Sequence, residues 1–475
     1  MILSSGAKKF YRLAAKEYVV LGRRLARALR EECVKVARVE VFLIGHGWNN
    51  LVLTRVHTDT GLSGLGEGTM QWQARTVASA IDHMTNRYVL GASPFEVERL
   101  VQAMYRNEYA RGGPVLNSAI AAIEFALWDI CGKALGQPAF NLLGGRVHSE
   151  IPAYANGWYD PEAGVGAAAA AARKVAAAGY GGLKFDPFWG LGRDPDPAEL
   201  RRGMDQVAAV RGAVGPDVQM FVDGHGRFSV GTASRLAHQL AEAEVDWFEE
   251  PVDPENYIAL GQVARPRGLQ IAVGERCYSR YLIPQLLAEG RPNIVQPDPI
   301  QVGGLLEAKK ISVLADTAYL PVSFHCPFGP IATAAILQLY AATTNVVRQE
   351  SFSEFDAAWR RELITNCPMP VGGSYTVSAL PGLGGIELNE TVVRDHPYED
   401  RAVQSMWAVN GSLRASEEMS SPDDSVTSSG SGKQALRAER TEPAAPSGAE
   451  TNSVPQLANL KVGETDLRGT FREKI

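Results

Sequence analysis

Three short acidic phrases lie at an even step in the middle of the chain: FVDGHGRF (Phe221–Phe228), WFEEPV (Trp247–Val252) and AVGERCY (Ala272–Tyr278). Asp223 and Glu249 stand 26 residues apart, and so do Glu249 and Glu275. In each phrase an apolar run gives way to a carboxylate and then to Gly, Arg or Pro. A strand, a loop, a crossover helix and a return loop take roughly 25 to 30 residues. Equal steps of that size put each acid at the same place in successive βα units, at a strand C-terminus. In a closed barrel those ends form the ring where active sites sit. Three bare carboxylates on neighbouring strands repel one another. A divalent cation removes the repulsion, and carboxylate oxygens are the ligands that Mg²⁺ prefers. One strand-end acid is commonly a local salt bridge; three in one register point to a metal site.

The step continues downstream. Asp298 in IVQPDPIQVGG, His325 in PVSFHCPFGP and Glu350 in NVVRQE follow at intervals of 23, 27 and 25 residues. Each again follows an apolar, β-prone run. Core packing alone would put apolar residues at these ends, not an acid or a histidine.

These phrases need a scaffold of alternating strands and helices. From about residue 151 to about 365, short strand-like runs alternate with helical patterns, including an alanine-rich helix at 167–172, which predicts a parallel (β/α) barrel. Before it, Val34 to about Met70 reads as a β meander with a turn at TDTGLSG (Thr58–Gly64). Residues 75–145 read as largely helical. The clearest helix there starts at Asn117 or Ser118, presents Ile120, Ile123, Leu127 and Ile130 on one face, and ends at Gly136 and Pro138. The predicted class is α/β: a barrel of the modified TIM type with an N-terminal α+β capping domain. The expected divisions are a basic extension over 1–34, the capping domain over 35–150 and the barrel over 151–368. A segment over 369–410 returns to the cap, and a tail follows over 411–475. The tail is rich in Ser, Pro, Glu, Ala and Gly, and disorder is predicted from about 412 to 458.

The 475 residues allow two or three domains, and 45% hydrophobic with 21% charged residues is ordinary for a folded soluble chain. A net charge of −6 gives no reason to expect nucleic acid or an anionic membrane. The five cysteines are scattered and lack CxxC spacing, which argues against a disulfide framework and fits a reducing, cytoplasmic setting. Cys326, beside His325, is the weaker candidate for a nucleophile. No apolar run is expected to span a membrane, and no secretory signal is expected at the N-terminus.

Taken together, these phrases resemble the enolase superfamily in its mandelate racemase branch, and within it the acid-sugar dehydratases of the galactonate dehydratase type. The resemblance covers about Val36 to Asp400 and includes GKALGQPAFNLLGG (Gly132–Gly145), which in the family joins cap to barrel. It implies that Asp223, Glu249 and Glu275 are Mg²⁺ ligands, with Glu250 facing away. It implies that His225, two residues after the first ligand, is a general acid. His325 would be the base, Asp298 the acid that orients it, and Glu350 a contact to the substrate carboxylate or enediolate. Lys184 and Asp186 in LKFDPF fall at the second-strand position and are expected at the substrate. Lys184 either offsets charge near the metal or pairs with Asp186. Asp186 is a departure, because the dehydratases it resembles tend to have a neutral amide there; this weakens a two-base racemase reading. His46, Trp48 and Asn49 in IGHGWNN, with Glu67, fall where the family has loops that close over substrate; GHGWNN equally reads as a plain turn.

The chemistry asks for the same parts. The α-proton of a carboxylate is too weakly acidic for a lone histidine, so a Lewis acid and fixed donors must stabilise the enediolate. Hydroxide is a poor leaving group, so its loss needs a proton donor. His225 lies on the same strand face as Asp223. The expected reaction is dehydration of a sugar acid, an aldonate, to its 2-keto-3-deoxy product. The alternatives are a racemase or epimerase using His225 and His325 on opposite faces, and a non-catalytic ligand-binding member. The expected partner is a small-molecule sugar acid, and the expected assembly is a homo-oligomer.

Overall fold

The computed structural model describes residues 34–161, 163–352 and 354–400. The basic N-terminal extension and the tail predicted to be disordered lie outside the described residues. The cap opens with an antiparallel sheet of β1 (Val36–His46), β2 (Asn49–Thr58) and β3 (Ser63–Glu67), ordered as in the chain. Helices α1 (Ala74–Met84), α2 (Val97–Arg106) and α3 (Pro114–Leu135) complete it. Helix α3 starts at Pro114, one turn before the expected Asn117 or Ser118. Proline at the first turn leaves no N–H to pair, so it opens the helix without a side-chain cap. Gly136 in the left-handed conformation ends the helix, as the sequence predicts.

Contrary to the sequence expectation, α3 is long and apolar enough to cross a membrane by length and composition. Its most apolar stretch is 83% buried inside the protein, which makes it the core helix of the cap. Strand β3 lies directly against it. A Cβ at Gly66 would come within 1.8 Å of the Ala122 carbonyl oxygen, so only glycine permits this approach.

The barrel follows as repeating units. Strands β4 (Glu150–Ala155), β5 (Gly182–Phe185) and β6 (Gln219–Asp223) alternate with α4 (Val165–Ala177) and α5 (Pro197–Val214). Helix α6 (Val230–Glu242) leads to β7 (Trp247–Glu249), and α7 (Tyr257–Gln262) to β8 (Gln270–Val273). Then come β9 (Ile294–Val295), α8 (Leu305–Asp316), α9 (Pro330–Ala341) and β10 (Gln349–Ser351). Each strand from β4 to β9 pairs in parallel with the next. Single parallel bridges, Val295 to Val322 and Val322 to Val346, carry the sheet to the β10 segment, and β10 pairs with β4. The ring therefore closes. Strand β11 (Ser374–Thr376) returns antiparallel onto β4.

Alternation along the strands separates site from core. Phe221 pairs with Trp247, and two residues on Asp223 pairs with Glu249. Inside the barrel, Tyr154, Phe221, Trp247, Ala272 and Ile294 form one buried cluster. The Phe221 and Trp247 rings stack at 3.5 Å, and Tyr154 meets both edge-on. Two residues beyond Tyr154, Phe221, Trp247 and Ile294 stand the polar Asn156, Asp223, Glu249 and Gln296.

Buried carboxylates of the cap fasten it to the barrel. The first N–H groups of a helix have no partner within it. Glu67 accepts Gly329 N at 2.6 Å and Ala332 N at 2.9 Å, capping α9. Glu124, on α3, accepts Leu305 N at 2.9 Å and Leu306 N at 3.0 Å, capping α8. A Cβ at Gly304 would lie 2.6 Å from the Glu124 carboxyl carbon, so glycine makes room for the cap. Asp129 joins Leu65 N and Leu383 N at 3.0 and 2.9 Å, tying the returning segment to α3.

Burial outweighs these hydrogen bonds at Glu124 and pushes its pKa up to about 7. The folded protein thus holds this proton more tightly than the unfolded chain does. Stability from this source is complete below about pH 4.5 and is lost as pH rises through 7, on the order of 3 kcal/mol in all. Glu124→Gln should flatten the stability profile between pH 4.5 and 7, read by urea unfolding at a series of pH values. An unchanged slope would remove Glu124 as its source.

Candidate active site

Asp223 and Glu249 close β6 and β7 and are direct ladder partners. Glu275 follows two residues after the end of β8, Asp298 follows β9, and Glu350 lies within β10. From the next strand back, Lys184 reaches into this group. Its Nζ lies 2.7 Å from Glu249 Oε1, 3.0 Å from Glu350 Oε1 and 3.2 Å from Asp223 Oδ2. Gln296 donates to the other Glu249 oxygen at 2.9 Å. Glu350 also accepts from Cys326 N and from Asn156 Nδ2, both at 2.7 Å.

Two histidine–aspartate pairs flank this cluster. His325 Nδ1 lies 2.8 Å from Asp298 Oδ2, and its Nε2 lies 3.1 Å from Glu275 Oε2. Asp298 is fixed in turn by Ile300 N and Gln301 N. His225 Nδ1 lies 2.9 Å from Asp186 Oδ2, and its Nε2 lies 3.5 Å from Asp223 Oδ2. The two rings rise from the third and seventh positions of the closed ring, on opposite sides. Positive φ angles of 45° at His225 and 36° at Glu250 follow the ends of β6 and β7. Such backbone strain in non-glycine residues concentrates at functional sites.

Charge is unbalanced here. Asp186, Asp223, Glu249, Glu250, Glu275, Asp298 and Glu350 face three permanent cations, Lys184, Arg227 and Arg276. Counted with every carboxylate ionised and both imidazoles protonated, two negative charges are left over, and the pocket answers by holding protons on its acids. Burial, then Asp223, Glu275 and Glu350, push Glu249 up to about 8 against the pull of Lys184. Burial and Glu275 push Glu250 up to about 7 despite Arg276. Burial works against a charged imidazole, yet Asp223 and Asp186 raise His225 to about 9. At His325 burial is likewise overcome, by Glu275 and Asp298, and the value rises to about 10. Burial opposes the Lys184 charge too, but Glu249 and Glu350 hold it well above the usual lysine range.

The structure brings together Lys184, Asp223, Glu249 and Glu350, and separately the two histidine pairs. Lys184 does not pair with Asp186, since its ammonium is held by the carboxylates across the ring. Asp186 does not open toward a ligand: its carboxylate is enclosed by Arg227, His225 and Phe188 N. Glu250 turns to Arg276, away from Lys184. Among the described residues, no three acid or imidazole groups already surround one point at ligand distance. Burial lifts the Cys326 thiol well above its usual range, which leaves it un-ionised and removes the nucleophile reading. Sequence spacing does not single out Gln296, Asn156, Arg227 or Arg276. Arg227 carried a usable signal, standing two residues beyond His225 in the same phrase. Trp48, from the cap, packs against Phe352 just beyond Glu350, with ring centroids 6.1 Å apart.

Comparison with known proteins agrees with this architecture. Residues 30–144 match the family described as the mandelate racemase / muconate lactonizing enzyme N-terminal domain, and residues 166–392 the one described as enolase C-terminal domain-like. The chain is 34% identical over 372 residues to a D-gluconate dehydratase of Thermoproteus tenax, covering 76% of this chain and 74% of that relative. It is 33% identical over 366 residues to a D-galactonate dehydratase of Pectobacterium atrosepticum, covering 76% and 94%. A crystal structure of a mandelate racemase/muconate lactonizing enzyme from Jannaschia sp. superposes with a TM-score of 0.72 at 30% identity, covering 78% of this chain and 99% of that one. The cap over a closed barrel, the acids at its strand ends and these matches along both domains have one reading: the chain belongs to the enolase superfamily, in its mandelate racemase / muconate lactonizing enzyme branch.

Proposed function

We propose that the chain is a Mg²⁺-dependent hydro-lyase that converts a sugar acid, an aldonate of the galactonate or gluconate kind, to its 2-keto-3-deoxy product. The observation that carries this reading is the pair of opposed imidazoles, each with Nδ1 held by an aspartate, across a buried acid cluster. Relatives named D-gluconate and D-galactonate dehydratases support the substrate class.

The donor set suits magnesium: hard carboxylate oxygens, two of them on paired strand ends, in a pocket with more acids than cations to pair them. Asp223, Glu249 and Glu275 would hold the ion. When bound, Mg²⁺ would act as a Lewis acid on the charge that develops as the α-proton leaves. The remaining work belongs to side chains. Asp298 holds His325 with Nε2 toward the cluster. Its Nε2 lies 3.1 Å from Glu275 Oε2; with Glu275 holding the ion, Nε2 would be free to accept the C2 proton. Lys184 supplies a fixed positive charge beside Glu350 and the strand-end acids, where a substrate carboxylate gains from it. His225, with Nδ1 on Asp186 and Nε2 toward the cluster, would give its proton to the departing C3 hydroxyl.

Opposed imidazoles also serve an epimerase, and the two reactions separate in D₂O. Dehydration yields a semicarbazide-reactive keto acid; exchange at C2 with no keto product would favour epimerisation. His325→Asn and His225→Asn should each lower turnover by about 10² to 10⁴-fold, with Mg²⁺ affinity nearly unchanged by calorimetry. Full activity in either variant would remove that residue from its role. Mg²⁺ should also raise the thermal midpoint of the wild-type protein and leave that of Asp223→Asn unmoved. An equal rise in both would place the ion elsewhere.

A further inference from the structure

Asp186 is a buried acid to which the chemistry above gives no part in a step. Its side chain is fully enclosed, and each oxygen accepts two donors. Oδ1 takes Phe188 N at 2.9 Å and Arg227 Nη1 at 3.0 Å. Oδ2 takes His225 Nδ1 at 2.9 Å and Arg227 Nη2 at 2.8 Å. No lone pair is left for a ligand. Its own N–H donates to Tyr159 Oη at 2.7 Å, which fixes the backbone from below. The Arg227 guanidinium is buried and bidentate, the geometry that pins a carboxylate in one plane. Trp189 closes the other side of the imidazole, edge to face at 6.3 Å.

We propose that Asp186, clamped by Arg227, is the positioning residue for His225, the counterpart on this side of the ring to Asp298 behind His325. The proposal rests on the dehydratase reading for its consequence in catalysis. Asp186 accepts Nδ1–H and so directs Nε2 into the site. In the step itself, the C2–H electron pair forms the C2–C3 double bond after His325 takes the proton. The C3–O bond breaks with its pair on oxygen. The Nε2 proton of His225 joins that oxygen, and water leaves. His225 ends neutral, its Nδ1–H still on Asp186. An amide at this position cannot do the same. Its one oxygen takes either the Oδ2 place, facing His225 Nδ1 and Arg227 Nη2, or the Oδ1 place, facing Phe188 N and Arg227 Nη1, and its NH₂ then opposes the donors at the other.

Asp186→Asn in the full-length protein tests this in two ways. With a hydroxy acid that the wild type dehydrates, kcat should fall by roughly 10² to 10³-fold, while KM and C2 exchange in D₂O are little changed. With the 3-deoxy-3-fluoro analogue, whose leaving group needs no proton, elimination should stay near the wild-type rate. An equal loss on both substrates would make Asp186 a structural residue and overturn the proposal. The second readout needs no turnover. Low-field proton NMR of the wild type should show two hydrogen-bonded imidazole Nδ1–H signals, one lost in Asp186→Asn and the other in Asp298→Asn. Both signals persisting in Asp186→Asn would also overturn it. A wild type that dehydrates no acid yet shows this pattern would fail the functional reading and leave the positioning intact. If the uncompensated Arg227 unfolds the single variant, Asp186→Asn with Arg227→Gln removes both buried charges and carries the same readouts.

Discussion

Asp223 and Glu249 end adjacent strands in paired register, so their repulsion must be cancelled inside the protein. Water cannot do it, because both side chains are buried. Lys184 does part of it from the neighbouring strand, with one ammonium shared among three carboxylates. Truncating one member of such a group leaves an uncompensated buried charge, which costs several kcal/mol. The rest of the site is arranged around this constraint. Arg276 takes Glu250, Arg227 takes Asp186, and the imidazoles border the remaining acids. What stays unbalanced is an excess of acids over cations, and burial with that excess pushes Glu249 up to about 8.

The cap meets the same kind of problem differently. Glu67 and Glu124 are buried carboxylates with no arginine or lysine in hydrogen-bonding contact among the described residues. They are satisfied by the free N–H groups and positive ends of α9 and α8. Helix α9 begins just past the loop that carries His325. Cap and barrel are therefore joined by the backbone of segments next to the acid cluster, and not by apolar packing alone.

The recurrence of acids at one step made the barrel, its closed ring and the level of the functional side chains legible from residue order. That works because a βα unit has a nearly fixed length and a strand has a period of two. The same periodicities do not say which neighbour a long side chain reaches. Lys184 is four bonds of stem from its backbone, and it passes Asp186 to reach across the ring. Asp186 looked like a departure at a ligand position, and its meaning emerged only with Arg227 folded beside it. Glu67 carried no local signal of a helix cap, because the helix it caps begins 263 residues later, at Pro330. The start of α3 was misread because Asn117 is a good capping residue in general, whereas here its amide bonds to Tyr278 O and Gln301 O of the barrel.

The stacked rings of Phe221 and Trp247, with Tyr154 set against them, seal the tube from below. Reactant and product must then share a single doorway on the cap side. Under such one-way-in geometry each departing molecule must clear the mouth before the next can arrive.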